Sequence, residues 1–318
     1  MLAYVVGFPA EGRSLVDGVL EGLVAACGIS VLCDWMRIDA CLRTNGKSLR
    51  VPGVSEDVSV PRPRGLTRLF SALHFCLLTL LISALRLRVA ALLVLEFTLR
   101  ALIPLLTAAG QSVPSHQALL QCQFSLGCAL SCTLCFLHEG AHHRSLALSL
   151  CVCLALLLAR LSRRALTHTL HFYHTHSSSS PVCTVCVSLS ALQPSIGPFL
   201  RRAVAVAFTL GVVTSLHAVN QHYITETEGA GLWMPLVLCY TLLLLYIQRE
   251  RHTHTRTHTR GLSGAESPLH SAALRLAAML VLLLSAGFWV DVLHLGLVLL
   301  GELLCLSHTP PAAHTHTL

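Results

Sequence analysis

The sequence predicts an all-α protein that crosses a membrane several times as a helix bundle. Of its 318 residues, 54% are hydrophobic and only 12% are charged, and the mean hydropathy is +0.68. A soluble domain carries about 25% charged residues, which it needs to cover its surface. Lipid tolerates apolar side chains on outward faces, so we expect the bilayer to be the solvent and the main partner of this chain.

Apolar runs recur along the chain and define the predicted spans. A spanning helix needs about 20 mostly apolar residues. Seven or eight candidate spans lie near residues 17–36, 69–86, 88–109, 119–137, 145–161, 203–219, 232–248 and 274–306. The last run is too long for one span, so it is predicted to break near Asp291 into a hairpin or a kinked pair. The stretch 182–196 is shorter and contains Pro194, which predicts a re-entrant or interfacial segment.

Basic residues define the predicted topology. Three alternate connections hold most Lys and Arg residues, with seven in 37–68, five in 160–202 and five in 249–275. The other connections hold three. This bias places the basic connections in the cytoplasm and the N-terminus outside. If the first segment, with Glu21 and Asp34, lies in the interface instead, the N-terminus is inside and the later spans keep their orientation. The basic clusters lack interleaved aromatic residues, so no nucleic-acid partner is predicted.

The chain divides into three predicted regions. Residues 1–68 hold the first apolar segment and a basic cytoplasmic loop, residues 69–306 form the transmembrane bundle, and residues 307–318 form a short disordered tail. Alternating Thr and His occur in the tail and at 167–176 and 252–260. Such alternation has no fixed metal-binding geometry, so it predicts disordered loops.

One zinc-protease pattern occurs in the sequence. His138, Glu139 and His142 satisfy H-E-x-x-H, in which two His one turn apart hold zinc and the Glu acts as a base. Here the pattern falls in a short connection, Gly140 weakens any helix through it, and no third ligand is nearby. We therefore expect no catalytic site and no cofactor, with His138 and His142 as weak metal candidates only.

Two C-x-x-C pairs are a second candidate for chemistry. Cys132 and Cys135 lie in an apolar run, where thiolates are poorly solvated, so core packing is the favoured interpretation. For Cys183 and Cys186, a metal or redox role stays open beside packing.

Ionisable residues inside predicted spans are the stronger candidates, because each costs about 2.5 to 3.5 kcal/mol at a helix centre. Glu96 and Arg100 are four residues apart and could form an ion pair on one helix face. Asp291 and Glu302 are eleven residues apart, so an unbroken helix would align them on one stripe with His294 near Asp291. That stripe is a candidate ion or proton path; alternatively, Asp291 marks a break and Glu302 lies near the interface.

Small residues in the first span predict a close helix contact. Gly18 and Gly22 have G-x-x-x-G spacing, and Ala26 lies one turn further. Such stripes let two helix backbones approach closely.

Long ordered segments resemble a known family. The matching segments are 88–100, 122–128, 136–140, 220–221, 233–235, 239–242, 289–293 and 300–303. Over about residues 68 to 306 the chain resembles the transmembrane protein 82 family. The resemblance implies a polytopic helical membrane protein and brings no activity or catalytic residues with it.

The resemblance adds to the choice of polar candidates inside the membrane. The intramembrane candidates within its segments are Glu96, Arg100, Asn220, Gln221, Asp291 and Glu302. In contrast, His138 and His142 are not part of the family pattern, which weakens the zinc hypothesis.

Two functions follow as hypotheses. A small-solute or ion transporter or channel requires the intramembrane charges to converge on a hydrated interior. A non-catalytic scaffold or partner-binding protein requires only that the charges pair locally, while the Gly18 and Gly22 face docks another helix or a second copy of the chain. The sequence names no solute, because selectivity depends on pore width and donor placement.

Overall fold

The computed structural model shows a bundle of helices. It describes residues 15–48, 64–107, 122–139, 141, 143–175, 184–220, 277, 279–280 and 289–308. Within these residues the helices are α1 (Leu15–Ser48), α2 (Arg64–Ala84), α3 (Leu87–Thr107), α4 (Gln123–Leu137), α5 (Arg144–Thr175), α6 (Thr184–Val219) and α7 (Trp289–His308). No strand occurs among them, which confirms the predicted all-α class.

Helix α1 lies at the centre of the described bundle. It packs most extensively against α5 and also against α2, α4 and α6. Ala25 and Ala26 are fully buried on it, and Ile29 is 3% exposed. A helix that is apolar around most of its circumference is typically buried on most sides, as α1 is here.

The glycine stripe of α1 makes the predicted close contact, and its partner is α2 of the same chain. A Cβ atom on Gly22 would lie 2.8 Å from the Thr79 carbonyl oxygen and would overlap the Ser83 hydroxyl. A Cβ atom on Gly18 would reach the Ser83 carbonyl oxygen at 3.8 Å. Because α2 already packs on this face, the glycine stripe is not available for packing by a helix of another protein.

Paired contacts establish the relative directions of α1 and α5. Arg144 at the start of α5 contacts Glu21 near the start of α1, and Ser162 further along α5 contacts Asp34 further along α1. The two helices therefore run parallel. Their parallel course brings Arg37 and Arg163 to one end of the bundle, which we call the basic end. This agrees with the predicted topology, in which both residues are cytoplasmic.

Helix α7 is parallel to α1 and packs against α2. Asp291 near its start contacts Arg86 just after α2, while the Leu304 carbonyl near its end accepts a hydrogen bond from His74 in the first half of α2. Helix α7 therefore ends at the basic end and begins at the opposite end. The helix starts at Trp289, two residues before Asp291; the residues just before it lie outside the described part, so the predicted break stays a prediction.

Candidate spans are fewer than the sequence predicted. Three helices are long and apolar enough to cross a membrane within the described residues: Leu15–Leu42, Arg144–Leu170 and Ser195–Val219. Leu69–Ala84 of α2 and Leu87–Leu99 of α3 are together long and apolar enough for one further span, although the chain bends by 106° between them. The described part therefore holds three or four candidate spans, and the predicted seven or eight are not confirmed. The predicted span 232–248 lies outside the described residues.

The two predicted spans 69–86 and 88–109 form the bent pair α2 and α3. The helix is interrupted at Leu85 and Arg86, and α3 leaves at an angle that is neither straight nor antiparallel. Arg86 reaches across to Asp291 of α7 at this point. An ion pair between residues distant in sequence thus lies at the break.

Helix α6 differs from the prediction at its start. The stretch predicted as a separate segment at 182–196 is, from Thr184, the first part of a single helix that continues to Val219. Pro194 and Pro198 lie within it. Membrane helices tolerate proline because neighbouring groups can satisfy the freed backbone carbonyls, which sequence rules for soluble helices do not anticipate.

Helix α5 also extends further than predicted. The Thr-His tract at 167–176 was expected to be a disordered loop, but α5 continues through it to Thr175. Thr169 Oγ1 donates a hydrogen bond of 2.8 Å to the Ala165 carbonyl oxygen, and Thr167 bonds similarly to the preceding turn. These back-bonds satisfy the threonine hydroxyls without leaving the helix. The other Thr-His tracts lie outside the described residues.

Candidate functional site

Buried acidic side chains are the main candidates for function. Seven carboxylates are at most 8% exposed although they lie on apolar helices: Asp17, Glu21, Asp34, Asp39, Glu96, Asp291 and Glu302. A buried charge is costly unless it is paired, hydrogen-bonded or neutralised. The groups that pair with or donate hydrogen bonds to each carboxylate therefore indicate the role of that carboxylate.

Two of these acids on α1 hold Arg144, and we call the three residues the Arg144 clamp. Arg144 Nη2 donates to Glu21 Oε1 at 2.9 Å. Its Nε lies 3.3 Å from Asp17 Oδ2, an ion pair without hydrogen-bond geometry. Glu21 is fully buried. Asp17 and Glu21 are one turn apart on α1, so a single guanidinium at the start of α5 reaches both.

Asp291 on α7 is compensated across helices as well. Arg86 Nη1 lies 3.0 Å from Asp291 Oδ1, with the Arg86 side chain 33% exposed and the Asp291 side chain fully buried. The interaction joins the α2–α3 break to the start of α7. It lies at the opposite end from the basic end.

The buried face of α7 carries the ionisable stripe that the sequence predicted for an unbroken helix. The helix is continuous from Trp289 to His308, and Asp291, His294 and Glu302 are 0%, 1% and 6% exposed. His294 Nδ1 donates to the Val290 carbonyl at 2.8 Å, and within the described residues its Nε2 forms no hydrogen bond. Asp291 and Glu302 are about 16 Å apart along the helix axis.

A cavity lined by both polar and apolar side chains lies at the basic end, and we call it the basic-end cavity. It is lined by Ile29, Ser30, Cys33, Asp34, Ser71, His74, Phe75, Leu78, Gln123 and Arg163. These residues come from α1, α2, α4 and α5. Its volume of about 20 Å³ is enough for a water molecule.

Hydrogen bonds organise the wall of the basic-end cavity. Ser162 Oγ donates to Asp34 Oδ2 at 3.0 Å, and Arg163 Nη1 donates to Ser71 Oγ at 3.3 Å. His74 Nε2 donates to the Leu304 carbonyl oxygen at 3.1 Å, which attaches the end of α7 to the cavity wall. The cavity is thus fixed by contacts among several helices.

The remaining predicted residues lie apart from this cavity or outside the described part. Glu96 is 2% exposed on α3. Arg100 belongs to α3, but its side chain is outside the described part, so the predicted pair with Glu96 stays a prediction. Asn220 is exposed at the end of α6, and Gln221 lies outside the described residues.

Sequence reasoning missed the cavity residues. Asp34 and Glu21 gave a signal, because both interrupt the first apolar run. His74 and Gln123 gave none, since a lone polar residue in an apolar segment does not reveal which helices surround it. Their assembly depends on the packing of α2 and α4 against α1.

The weak metal candidates do not form a site that the structure can describe. His138 follows the last residue of α4, and its Nδ1 donates to the Leu134 carbonyl at 2.9 Å. His142 lies outside the described residues. Across the residues that are described, no group of three His, Cys, Asp or Glu side chains could hold a metal ion.

The structure describes both side chains of the first C-x-x-C pair and neither side chain of the second. Cys132 is buried on α4, as the packing interpretation predicts, while the Cys135 sulfur lies 3.9 Å from Arg144 Nη2. Cys183 lies outside the described residues, and Cys186 is in the part of α6 whose side chains are not described. A role for the second pair stays open.

Comparison with known proteins agrees with the helical membrane architecture. A family model described as Transmembrane protein 82 matches residues 16–312, nearly the whole chain. No solved structure matches the chain. The match contains α1 to α7 except for the first residue of α1, and the family name agrees with helices apolar enough to span a membrane. The chain is therefore a membrane protein that belongs to the transmembrane protein 82 family.

Proposed function

We propose that this protein is a multi-pass, non-catalytic membrane transporter or channel for protons or other small cations, with about seven or eight spans. The observation that carries the proposal is the buried stripe of α7, on which Asp291, His294 and Glu302 lie inside one continuous helix. Ionisable side chains buried in apolar helices commonly mark ion or proton paths.

The stripe connects two polar regions at opposite ends of the bundle. Its first residue contacts Arg86, and its last turn carries the Leu304 carbonyl that His74 binds at the wall of the basic-end cavity. A cation is favoured over an anion because the buried groups on α7 include two carboxylates, which repel anions strongly in a low dielectric. Among small cations, His294 favours a proton as the conducted ion, because its Nε2 can accept one.

A flux assay on neutralised variants tests the proposal. The protein is reconstituted in vesicles, and the flux of protons, Na⁺ and K⁺ is followed after a gradient is imposed. We expect Asp291→Asn and Glu302→Gln each to lower the conducted flux by roughly tenfold or more, as losses of a proton-transfer group usually do. Glu139→Gln is the matched control, because Glu139 is an exposed carboxylate in the turn after α4. Equal flux in all variants would contradict the proposal.

A scaffold or partner-binding role is the second candidate, and local charge pairing favours it. Asp291 pairs with Arg86, and Arg144 pairs with Asp17 and Glu21. Since α2 covers the glycine stripe, a partner helix or second copy would need another face. The exposed leucines of α5 offer one, at Leu146, Leu150, Leu154, Leu157 and Leu161. This role predicts no flux in any variant, including the unsubstituted protein.

A further inference from the structure

We infer that the basic-end cavity is a proton-binding site in which Asp34 accepts a proton from a bound water. This inference rests on the proposed function and deepens it by naming the conducted species and the residue that loads it. Asp34 was not among the residues that the sequence selected for transport. Its place in the bundle is what assigns the role.

The first argument is that an amide side chain lines the cavity. Gln123 is 2% exposed and lines the cavity, so its amide lies beside any molecule bound there. An amide both donates and accepts hydrogen bonds, so it is complementary to a ligand that does the same.

The second argument is size and charge. The cavity of about 20 Å³ accommodates a water molecule. The guanidinium groups of Arg37 and Arg163 lie close enough to act on the Asp34 charge, so they oppose a metal cation at this place. The Asp34 carboxylate in turn opposes an anion. Water is compatible with both the negative and the positive groups, because it donates to the carboxylate and accepts from cationic or amide groups.

The third argument is the surroundings of Asp34, which allow one proton to be taken up. The facing groups are Arg37 and Cys33 on α1, His74 on α2 and Arg163 on α5. From α4 the cavity receives only the neutral Gln123, and from the described part of α6 it receives no lining residue. Asp34 is therefore the sole carboxylate that lines the cavity among the described residues.

The proton-transfer step balances without a further reagent. The cavity water gives a proton to a carboxylate oxygen of Asp34 while it takes one from a hydronium ion in the solution at the basic end. An O–H bond of the hydronium breaks, an O–H bond of the carboxyl group forms, and the water exchanges one O–H bond for another. Water is left in the cavity, and the Ser162 hydroxyl keeps its hydrogen bond to Oδ2. The reverse step releases the proton. Arg163 lines the cavity and is exposed on the outer face of the bundle, so we place the entry of the proton beside it.

Two measurements on the full-length protein in vesicles test the inference. The first is modification of native cysteines by 2-aminoethyl methanethiosulfonate, quantified for each cysteine by peptide mass spectrometry. We expect Cys33, which lines the cavity, to react roughly tenfold or more faster than Cys128, which is fully buried elsewhere. Equal protection of both thiols would overturn the water-accessible cavity.

The second measurement is proton flux in variants of the cavity. We expect Asp34→Asn to lower proton flux by roughly tenfold or more and Gln123→Leu to lower it severalfold. Asp39→Asn is the matched control, since Asp39 is also buried on α1 but does not line the cavity. Thermal unfolding of each variant shows that it is folded, and Gln123→Leu provides the test if Asp34→Asn does not fold.

The outcomes separate this inference from the proposed function. If Asp34→Asn conducts protons as Asp39→Asn does, while Asp291→Asn and Glu302→Gln do not conduct, the inference is wrong and the transport proposal stands. If the unsubstituted protein conducts Na⁺ or K⁺ but not protons, the inference is again wrong. If it conducts no cation, both are wrong, whatever the reactivity of Cys33.

Discussion

The two ends of α1 carry buried carboxylates in opposite circumstances. At the end away from the basic end, Asp17 and Glu21 share one arginine, and ion pairs within 3.3 Å fill the site. At the basic end, Asp34 accepts a hydrogen bond from Ser162 and faces a cavity. Buried carboxylates on the same helix are therefore paired with an arginine at one end and lie beside a cavity at the other. The two ends of α1 therefore show that burial alone does not define the role of a carboxylate; its neighbours differ from place to place.

The segment between these ends separates them physically. From Glu21 to Asp34 the helix rises about 20 Å. Over this length Ala25 and Ala26 are fully buried, and Gly22 packs against the α2 backbone. Helix α7 carries buried ionisable groups near both of its ends, so it is the helix that we propose for a path between the two sides.

The largest expected effect comes from breaking the Arg144 clamp. Arg144→Ala removes the guanidinium that contacts the buried Glu21 carboxylate, and a buried ion pair that loses one partner typically costs about 3 to 5 kcal/mol of stability. Thermal unfolding in detergent measures the loss. Arg160→Ala is the control on the same helix, because Arg160 is exposed and should change stability little.

A second substitution sharpens the interpretation of the clamp. Adding Glu21→Gln to Arg144→Ala removes the buried carboxylate charge that lost its arginine, so the double variant should recover part of the lost stability. If the double variant is less stable than Arg144→Ala alone, the clamp does not act through the charge of Glu21.

An intermediate effect is expected at Gly22, where α1 packs closely against α2. Gly22→Ala places a methyl group against Thr79 and Ser83 of α2, and such overpacking costs about 1 to 3 kcal/mol. Gly296→Ala is the matched control on α7, because a Cβ there meets nothing within 4 Å. Helix propensity alone should make the control more stable by up to about 1 kcal/mol. Similar melting temperatures for the two variants would show that α1 and α2 can separate freely.

The smallest effect is expected at the basic-end cavity. Ser162→Ala removes the hydrogen bond to Asp34, and a typical loss is about 1 kcal/mol because water in the cavity can replace the hydroxyl. Ser149→Ala on the same helix removes only an exposed bond to the Ser145 carbonyl and should be nearly neutral. Thermal unfolding compares the pair. A loss from Ser162→Ala as large as that from Arg144→Ala would mean that Asp34 is as closed to water as Glu21.

Sequence reasoning recovered the parts of the site that follow from one helix at a time. Spacing alone aligned Asp291 with Glu302, and α7 has the continuity that the alignment required. Spacing also found the glycine stripe of α1, because small residues one turn apart share a face in any helix. It did not reveal that α2 covers that stripe, since the sequence of one helix face does not determine which other helix packs against it.

Composition and periodicity determined the helical membrane class, because a chain with so few charges can expose its surface only to lipid. They also indicated which residues are expensive inside the membrane. The tertiary structure alone decided which of those charges are compensated: Arg144 reaches Glu21 from 123 positions away, and Arg86 reaches Asp291 from 205 positions away. It also placed Asp34, His74 and Gln123 around one cavity. Side chains on separate helices meet only when the helices pack, and that packing depends on contacts distant in sequence.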